Sequence, residues 1–332
     1  MKFDYDYIII GSGFGGSVSA LRLAEKGYKV LVVEKGKWYD SEDFPKSNWN
    51  LKRWLWIPAL RFFGIMKISF FRHIVVLSGS GVGGGSLVYA NTLPVPKSAF
   101  YKTGTWAELE DWESTLKPYY DRAYKMLGAA VNPVLFDADE ALKKLAEKRK
   151  IVQQFEPTKV GVFFGKGGKE VDDPYFEGEG PKRSGCTYCG GCMTGCRYNA
   201  KNSLDKNYLY LAQKQGVEIL AEHEVYHVEP VNQDNPADGY HINLKTSTRW
   251  ITSKKSFNAR GVVFSGGVLG TLKLLLKLKG NGALPHLSDK LGQEVRTNNE
   301  TLVSVSSLDK TKDVSKGVAI GSILHADENT HL

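Results

Sequence analysis

Short apolar runs set off by glycine turns organise this chain. Ile8–Ile10 is unbroken, bounded by a turn signal and too short for a helix, which predicts a buried strand. Beyond Gly16 the apolar residues Val18, Leu21 and Ala24 recur at helical spacing, and Val30–Val33 makes a second buried run that closes on Glu34. A third run, Ile74–Leu77, leads into Gly79, Gly81, Gly83, Gly84 and Gly85, and another apolar segment follows, so both flanks read as buried strands. Residues 259–278 repeat the order strand, glycine turn, helix, and fit a later parallel strand of the same sheet. Between these, 106–127 and 137–155 carry helical patterning, the second with acidic residues at its start and basic ones at its end, as a helix dipole favours. A polar, glycine-rich passage from 165 to 185 follows.

The first of these units carries a mechanical signature. In Gly11-x-Gly13-x-x-Gly16 the first glycine makes the turn, the second lets the backbone approach a pyrophosphate, and the third lets the helix pack close to the strand. The pyrophosphate then sits at the positive N-terminal end of that helix. Glu34, at the tip of the second strand, is placed to accept hydrogen bonds from ribose hydroxyls. Strand, glycines, helix, second strand and acid occur in order within about thirty residues, the context that separates a dinucleotide site from a glycine-rich turn. The motif itself does not choose between FAD and NAD. The glycine cluster at 79–85 adds a second point of close approach, since ordering so many glycines is entropically costly unless backbone amides touch a ligand. The fold class that follows is α/β, a doubly wound, Rossmann-like nucleotide-binding domain.

Composition narrows the partners. The 332 residues are 42% hydrophobic and 24% charged, ordinary values for a globular chain. The net charge of +8 is regional: Phe44 to Ala107 holds no Asp or Glu, while Lys46, Lys52, Arg53, Arg61, Lys67, Arg72, Lys97 and Lys102 lie inside it. No nucleic-acid recognition motif or long basic run accompanies it, so nucleic acid is not the expected partner. The N-terminal residues run into a strand without the pattern of a signal peptide, and no stretch reads as a membrane span, which gives a cytoplasmic expectation.

All four cysteines, Cys186, Cys189, Cys192 and Cys196, fall within eleven residues in the spacing C-x2-C-x2-C-x3-C. That is the run with which bacterial ferredoxins hold iron–sulfur clusters, and glycines 185, 190, 191 and 195 give the backbone freedom to wrap one, with Arg183 and Arg197 near to offset its charge. Against it, Arg197 stands where the ferredoxin run has proline, and no fifth cysteine exists. A zinc site ranks lowest, because such sites space two pairs apart. Reduced structural thiols are the third reading, and a cytoplasmic setting disfavours disulfides.

Taken together, the N-terminal GSGFGGS, the GVGGGSLVYAN loop, NAKNSLDKNYL after the cysteines, FSGGVLGT, and 287–300 resemble the glucose-methanol-choline (GMC) family of flavin oxidoreductases, and within it the bacterial cholesterol oxidase-like branch. The resemblance implies FAD as cofactor. It implies that Gly83, Gly84, Gly85, Ser86 and Asn91 lie along the flavin ring, that the Val225 backbone meets the adenine, and that Glu34 is the family's ribose-binding acid. It implies oxidation of an alcohol by hydride transfer to flavin N5, with a sterol 3-hydroxyl as first substrate and a sugar or other alcohol as the alternative. The electron acceptor would be O2 or one not assigned; a flavin-binding or electron-transfer fragment without catalysis is the reading from another class. The family's catalytic histidine and its partner lie near the C-terminus of relatives, and none of the seven histidines here matches that motif, so no catalytic residue is assigned and the chain is expected to be truncated.

The expected organisation is a discontinuous FAD-binding domain over 1–100 and 185–300, with an inserted, incomplete substrate domain over 101–184 and 301–332. Residues 50–73 interleave Trp54, Trp56, Phe62, Phe63, Phe70 and Phe71 with Lys and Arg. Peripheral membrane contact is one expectation for them, and a segment whose rings pack on the protein body is the other. Pro58 and Gly64 argue against one uninterrupted helix there.

Overall fold

The computed structural model describes residues 2–332 apart from Thr297, Asn299, Ser307, Lys310 and Lys312. It consists of two compact units, one made of Met1–Val88 and Leu204–Ser306, the other of Tyr89–Ser203 and Ser307–Leu332.

The first unit carries β1 (Tyr5–Ile10), α1 (Phe14–Ala24), β2 (Val30–Val33), β3 (Met66–Phe70), β4 (Val75–Gly79), α2 (Tyr208–Lys214), β5 (Glu218–Leu220), β6 (His223–Pro230), β7 (Tyr240–Thr246), β8 (Lys254–Phe264) and α3 (Gly267–Gly280). Its main sheet has the order β5-β2-β1-β8-β7-β6. The joins from β5 through β8 are parallel, and β7 runs antiparallel to both β8 and β6. Alternate residues of the parallel strands serve different faces. Ile8, Leu31 and Val33 join Val225, Val228, Ile242, Leu244 and Leu278 in one core, while Ile9, Val30 and Val32, equally buried, lie outside that cluster. Burial on both faces is why these strands read as continuous apolar runs rather than alternating ones. The 259–264 run is the parallel strand expected from its pattern, in register with Tyr5–Ile10.

Two expected strands differ. The run at 74–77 forms β4, but β4 pairs only with β3 in a two-stranded hairpin, and Val75 and Leu77 are exposed. The small core covers the hairpin at Met66 and Ile68 but does not extend to Val75 and Leu77. The segment after the glycine cluster is a 3-10 turn over Gly84–Leu87. Gly83 and Gly84 take φ values of 103° and 52°, and Ser86 Oγ donates to Gly83 O at 2.7 Å, which tightens the backbone away from extension.

Within residues 50–73 some rings pack on the protein body and others are exposed. A short helix, Leu51–Trp54, precedes a two-residue pairing of Trp56–Ile57 with Phe62–Phe63. Ile65 and Met66 are buried with Tyr39, Phe44, Leu87 and Val88 in a small core, with Trp54 packed against it. Phe70 and Phe71, at the tip of the β3–β4 hairpin, are exposed.

The second unit holds helices Trp112–Met126 and Asp137–Lys148 with short two-stranded pairings. Residues 89–100 and 185–203, grouped by sequence with the nucleotide-binding domain, pack here. Thr92 bridges Val160, Lys201 bridges Val162, and the Tyr89 hydroxyl donates to Asn202 O at 3.1 Å. Among the described residues no helix is long and apolar enough to cross a membrane.

Candidate dinucleotide cradle and cysteine pocket

The three motif glycines are glycine for different reasons. Gly11 has φ +102°, and a Cβ on it would lie 2.4 Å from Ser265 O, where the chain leaves β8 alongside the end of β1. A Cβ on Gly16 would sit 2.0 Å from Gly11 O, so α1 lies directly on the turn. Beside Gly13 a Cβ would meet nothing within 4 Å. Packing demands the first and third, whereas Gly13 leaves open space at the N-terminus of α1, which no side chain caps and whose first turn carries no acid. That is the arrangement an anionic diphosphate requires.

The second glycine cluster lies against the first. A Cβ on Gly84, itself at φ +52°, would be 2.7 Å from Gly13 Cα. Gly85 again borders open space, its nearest neighbour being a ring carbon of Phe14 at 3.9 Å from the Cβ position. Ser12, which the motif reading passes over, ties the two loops together. Its hydroxyl donates to Glu34 Oε2 at 2.8 Å and accepts from Gly83 N at 3.1 Å. Glu34 is buried, and its carboxylate also accepts from Ser12 N at 3.1 Å and Gly36 N at 2.9 Å. It therefore organises both loops from the tip of β2, in addition to any ribose it would meet. Burial, and next the Glu34 charge, push the neighbouring Tyr39 phenol well up from its ordinary value.

The remaining cofactor candidates are distributed as follows. Ser86 is buried and its hydroxyl works within the loop, donating to Gly83 O and accepting from Leu204 N at 2.9 Å. Val225 lies in β6, paired with Leu244 beside a register shift before His227. Asn91 belongs to the second unit, where its fully buried amide lies beside the Cys192 thiol and makes no well-formed hydrogen bond.

In that second unit, Cys186, Cys189, Cys192 and Cys196 are free thiols that line one cavity together with Val162, Tyr198, Lys201 and Gly317. Burial pushes the Cys186 thiol up to about 12. Among the described residues no group of three or more His, Cys, Asp or Glu side chains is set to hold a single metal ion. Arg183, expected from sequence to offset cluster charge, is buried and engaged with the loop's own return. It donates to Asn199 O at 3.1 Å, to Lys201 O at 2.7 Å and to Asn202 Oδ1, closing residues 183–202 into a loop. The cation that lines the cavity is Lys201, whose Nζ donates to Tyr89 O and Cys192 O at 2.9 and 2.8 Å.

A family model for GMC oxidoreductases matches residues 5–300. The chain belongs to the GMC oxidoreductase family. Over its whole length this GMC chain is 48% identical to a cholesterol oxidase of Acinetobacter baumannii and 44% identical to a cholesterol oxidase of Mycobacterium tuberculosis. It spans 61% and 58% of those relatives. A solved fungal aryl-alcohol oxidase matches 82% of this chain and 47% of its own, with a TM-score of 0.50 at 14% identity, a likeness of fold. Two contributors to the GMC cradle escape a motif reading. Ser12 occupies a variable motif position, and Ser265 meets Gly11 only because β8 pairs with β1.

Proposed function

We propose that this chain is the FAD-binding part of an alcohol oxidoreductase whose substrate is a sterol 3-hydroxyl. The carrying observation is the juxtaposition of two side-chain-free loops, Gly11–Gly16 and Gly83–Gly85, clamped by Ser12 and Glu34 and open beside Gly13 and Gly85. These residues fit FAD: amides at the α1 N-terminus would hold the diphosphate, Glu34 would meet the ribose, and the Val225 backbone would meet the adenine. Bound FAD supplies the hydride acceptor. The protein's own contribution is rigid placement, since Gly84 rests on Gly13 and cannot move without disturbing the diphosphate turn. Identity to two cholesterol oxidases over the whole chain supports the sterol and O2 as acceptor. The same reading gives the hairpin tip a use: exposed Phe70 and Phe71, with Arg72 next to them in sequence, form a peripheral contact with the sterol-bearing membrane.

The test is anaerobic mixing of the complete flavin-loaded polypeptide with cholesterol, with a long-chain alcohol and with a sugar. Bleaching of the oxidised flavin by cholesterol alone is expected. Bleaching only by the sugar or the simple alcohol would replace the sterol, and no bleaching by any of them would remove the alcohol-oxidation reading.

A further inference from the structure

Alcohol oxidation leaves the cysteine loop without a task, yet that loop is built in detail. Cys186, Cys189, Cys192 and Cys196 face one cavity although they come from one short stretch. Bringing them there takes left-handed backbone at Tyr188, Gly190 and Gly195, with φ values of 53°, 68° and 90°. Gly190 has no room for a side chain, because a Cβ would lie 2.1 Å from Ser315 O. A second segment closes the cavity: Gly190 N donates to Gly317 O, and Gly317 N donates to Tyr188 O, each at 2.9 Å.

The sulfurs are also supplied with donors. Tyr188 N reaches Cys186 Sγ at 3.4 Å, Ala200 N reaches Cys196 Sγ at 3.3 Å, and the Ala319 amide reaches Cys192. The buried Asn91 amide lies beside Cys192 without a well-formed partner, and Lys201 adds a positive charge to the cavity wall. Val160, Val162, Ala200 and Val318 form an apolar backing. Donors, a cation and a dry wall are what a negatively charged metal–thiolate group needs.

A single metal ion and a cluster place different demands on the four thiols. A single zinc ion would draw four sulfurs to about 2.3 Å from one point, and among the described residues no three ligand side chains converge in that way. In an iron–sulfur cluster each cysteine holds its own iron while inorganic sulfide fills the centre, so the thiols ring a cavity without meeting. We propose that Cys186, Cys189, Cys192 and Cys196 bind one iron–sulfur cluster in the second unit. Assembly replaces four S–H bonds by S–Fe bonds and releases four protons, with sulfide and a mixture of ferric and ferrous iron supplied from outside, so that no electron has to be removed during assembly. The proposal does not depend on the flavin reading, which concerns the other unit.

The experiment uses the complete polypeptide carrying this chain, purified without oxygen and, in parallel, reconstituted anaerobically with mixed ferric and ferrous iron and sulfide. Iron, acid-labile sulfide, zinc and FAD are measured on the same samples, with low-temperature electron paramagnetic resonance after dithionite reduction. Iron and sulfide in near-equal amounts, four cysteines protected from alkylation and a resonance distinct from a flavin radical are expected. Cys189→Ser, at the exposed thiol, is expected to lower iron at least tenfold with FAD content and apoprotein melting temperature unchanged. Protein that retains FAD, takes up neither iron nor sulfide on reconstitution and leaves all four thiols reactive overturns the proposal, as does one zinc per chain without sulfide.

Discussion

Gly13 and Gly16 stand three residues apart and are glycine for opposite reasons, which makes them separable by mutation. A methyl group on Gly16 would occupy the space of Gly11 O, a 2.0 Å contact with backbone that cannot turn aside. Gly16→Ala is therefore expected to destabilise the fold by about 3 kcal/mol, at the upper end for overpacking, visible as a lowered urea midpoint. A Cβ on Gly13, by contrast, would point into open space with nothing within 4 Å. Gly13→Val should keep the apoprotein's urea midpoint nearly unchanged while abolishing FAD retention through gel filtration. Loss of stability in both variants, or retention of FAD in Gly13→Val, would contradict the division. Glu34 combines the two roles, holding Ser12 and Gly36 while standing at the ribose position. Glu34→Ala removes three hydrogen bonds to a buried carboxylate and should cost about 3 kcal/mol in the apoprotein as well as weakening FAD. An unchanged apoprotein would mean that the carboxylate does not hold the loops.

At the scale of elements, β1, α1 and β2 were legible because glycine spacing and unbroken apolar runs report local requirements that each segment meets alone. The β3–β4 hairpin was not. Val75 and Leu77 have the composition of a buried strand, but burial depends on a covering layer, and the hairpin has only two strands. The turn after Gly83 was equally hidden, since it depends on the Ser86 hydroxyl reaching back to Gly83 O. Exposure at the hairpin tip yields a prediction. Phe70 is 78% exposed, so Phe70→Ser should change stability by no more than about 0.5 kcal/mol. Combined with Phe71→Ser, it should sharply reduce sedimentation with anionic vesicles at low salt, while FAD content stays constant. Equal sedimentation of the double variant would return these rings to the category of incidental surface.

For the whole molecule, the sheet order was the part least visible in sequence. Ser265 meets Gly11 because β8 pairs with β1, and the Tyr5 hydroxyl reaches Glu218 from β1 to β5 past the intervening β2. The cysteine spacing likewise gathers four thiols without revealing that Gly317 helps line and close their cavity. A long-range hydrogen bond also contributes to stability at alkaline pH. Burial first, then the hydrogen bond from its hydroxyl to Glu218 Oε2 at 2.8 Å, raise Tyr5 from 10.0 to about 12. An unfolded chain loses this proton near 10 while the folded one keeps it, so this contribution is complete below pH 10 and is lost as pH rises towards 12. The urea midpoint should fall across that window, and Tyr5→Phe should flatten the fall; an equally steep fall in the variant would place the cause elsewhere.

Above these particulars stands the claim that the two glycine loops are a cradle for FAD. The most direct measurement is to purify the complete polypeptide carrying this chain, denature it, and identify and quantify the released nucleotide by chromatography. About one FAD per chain is predicted, falling to none in Gly13→Val. NAD in its place, or no nucleotide from folded protein even after incubation with excess FAD, would contradict the account.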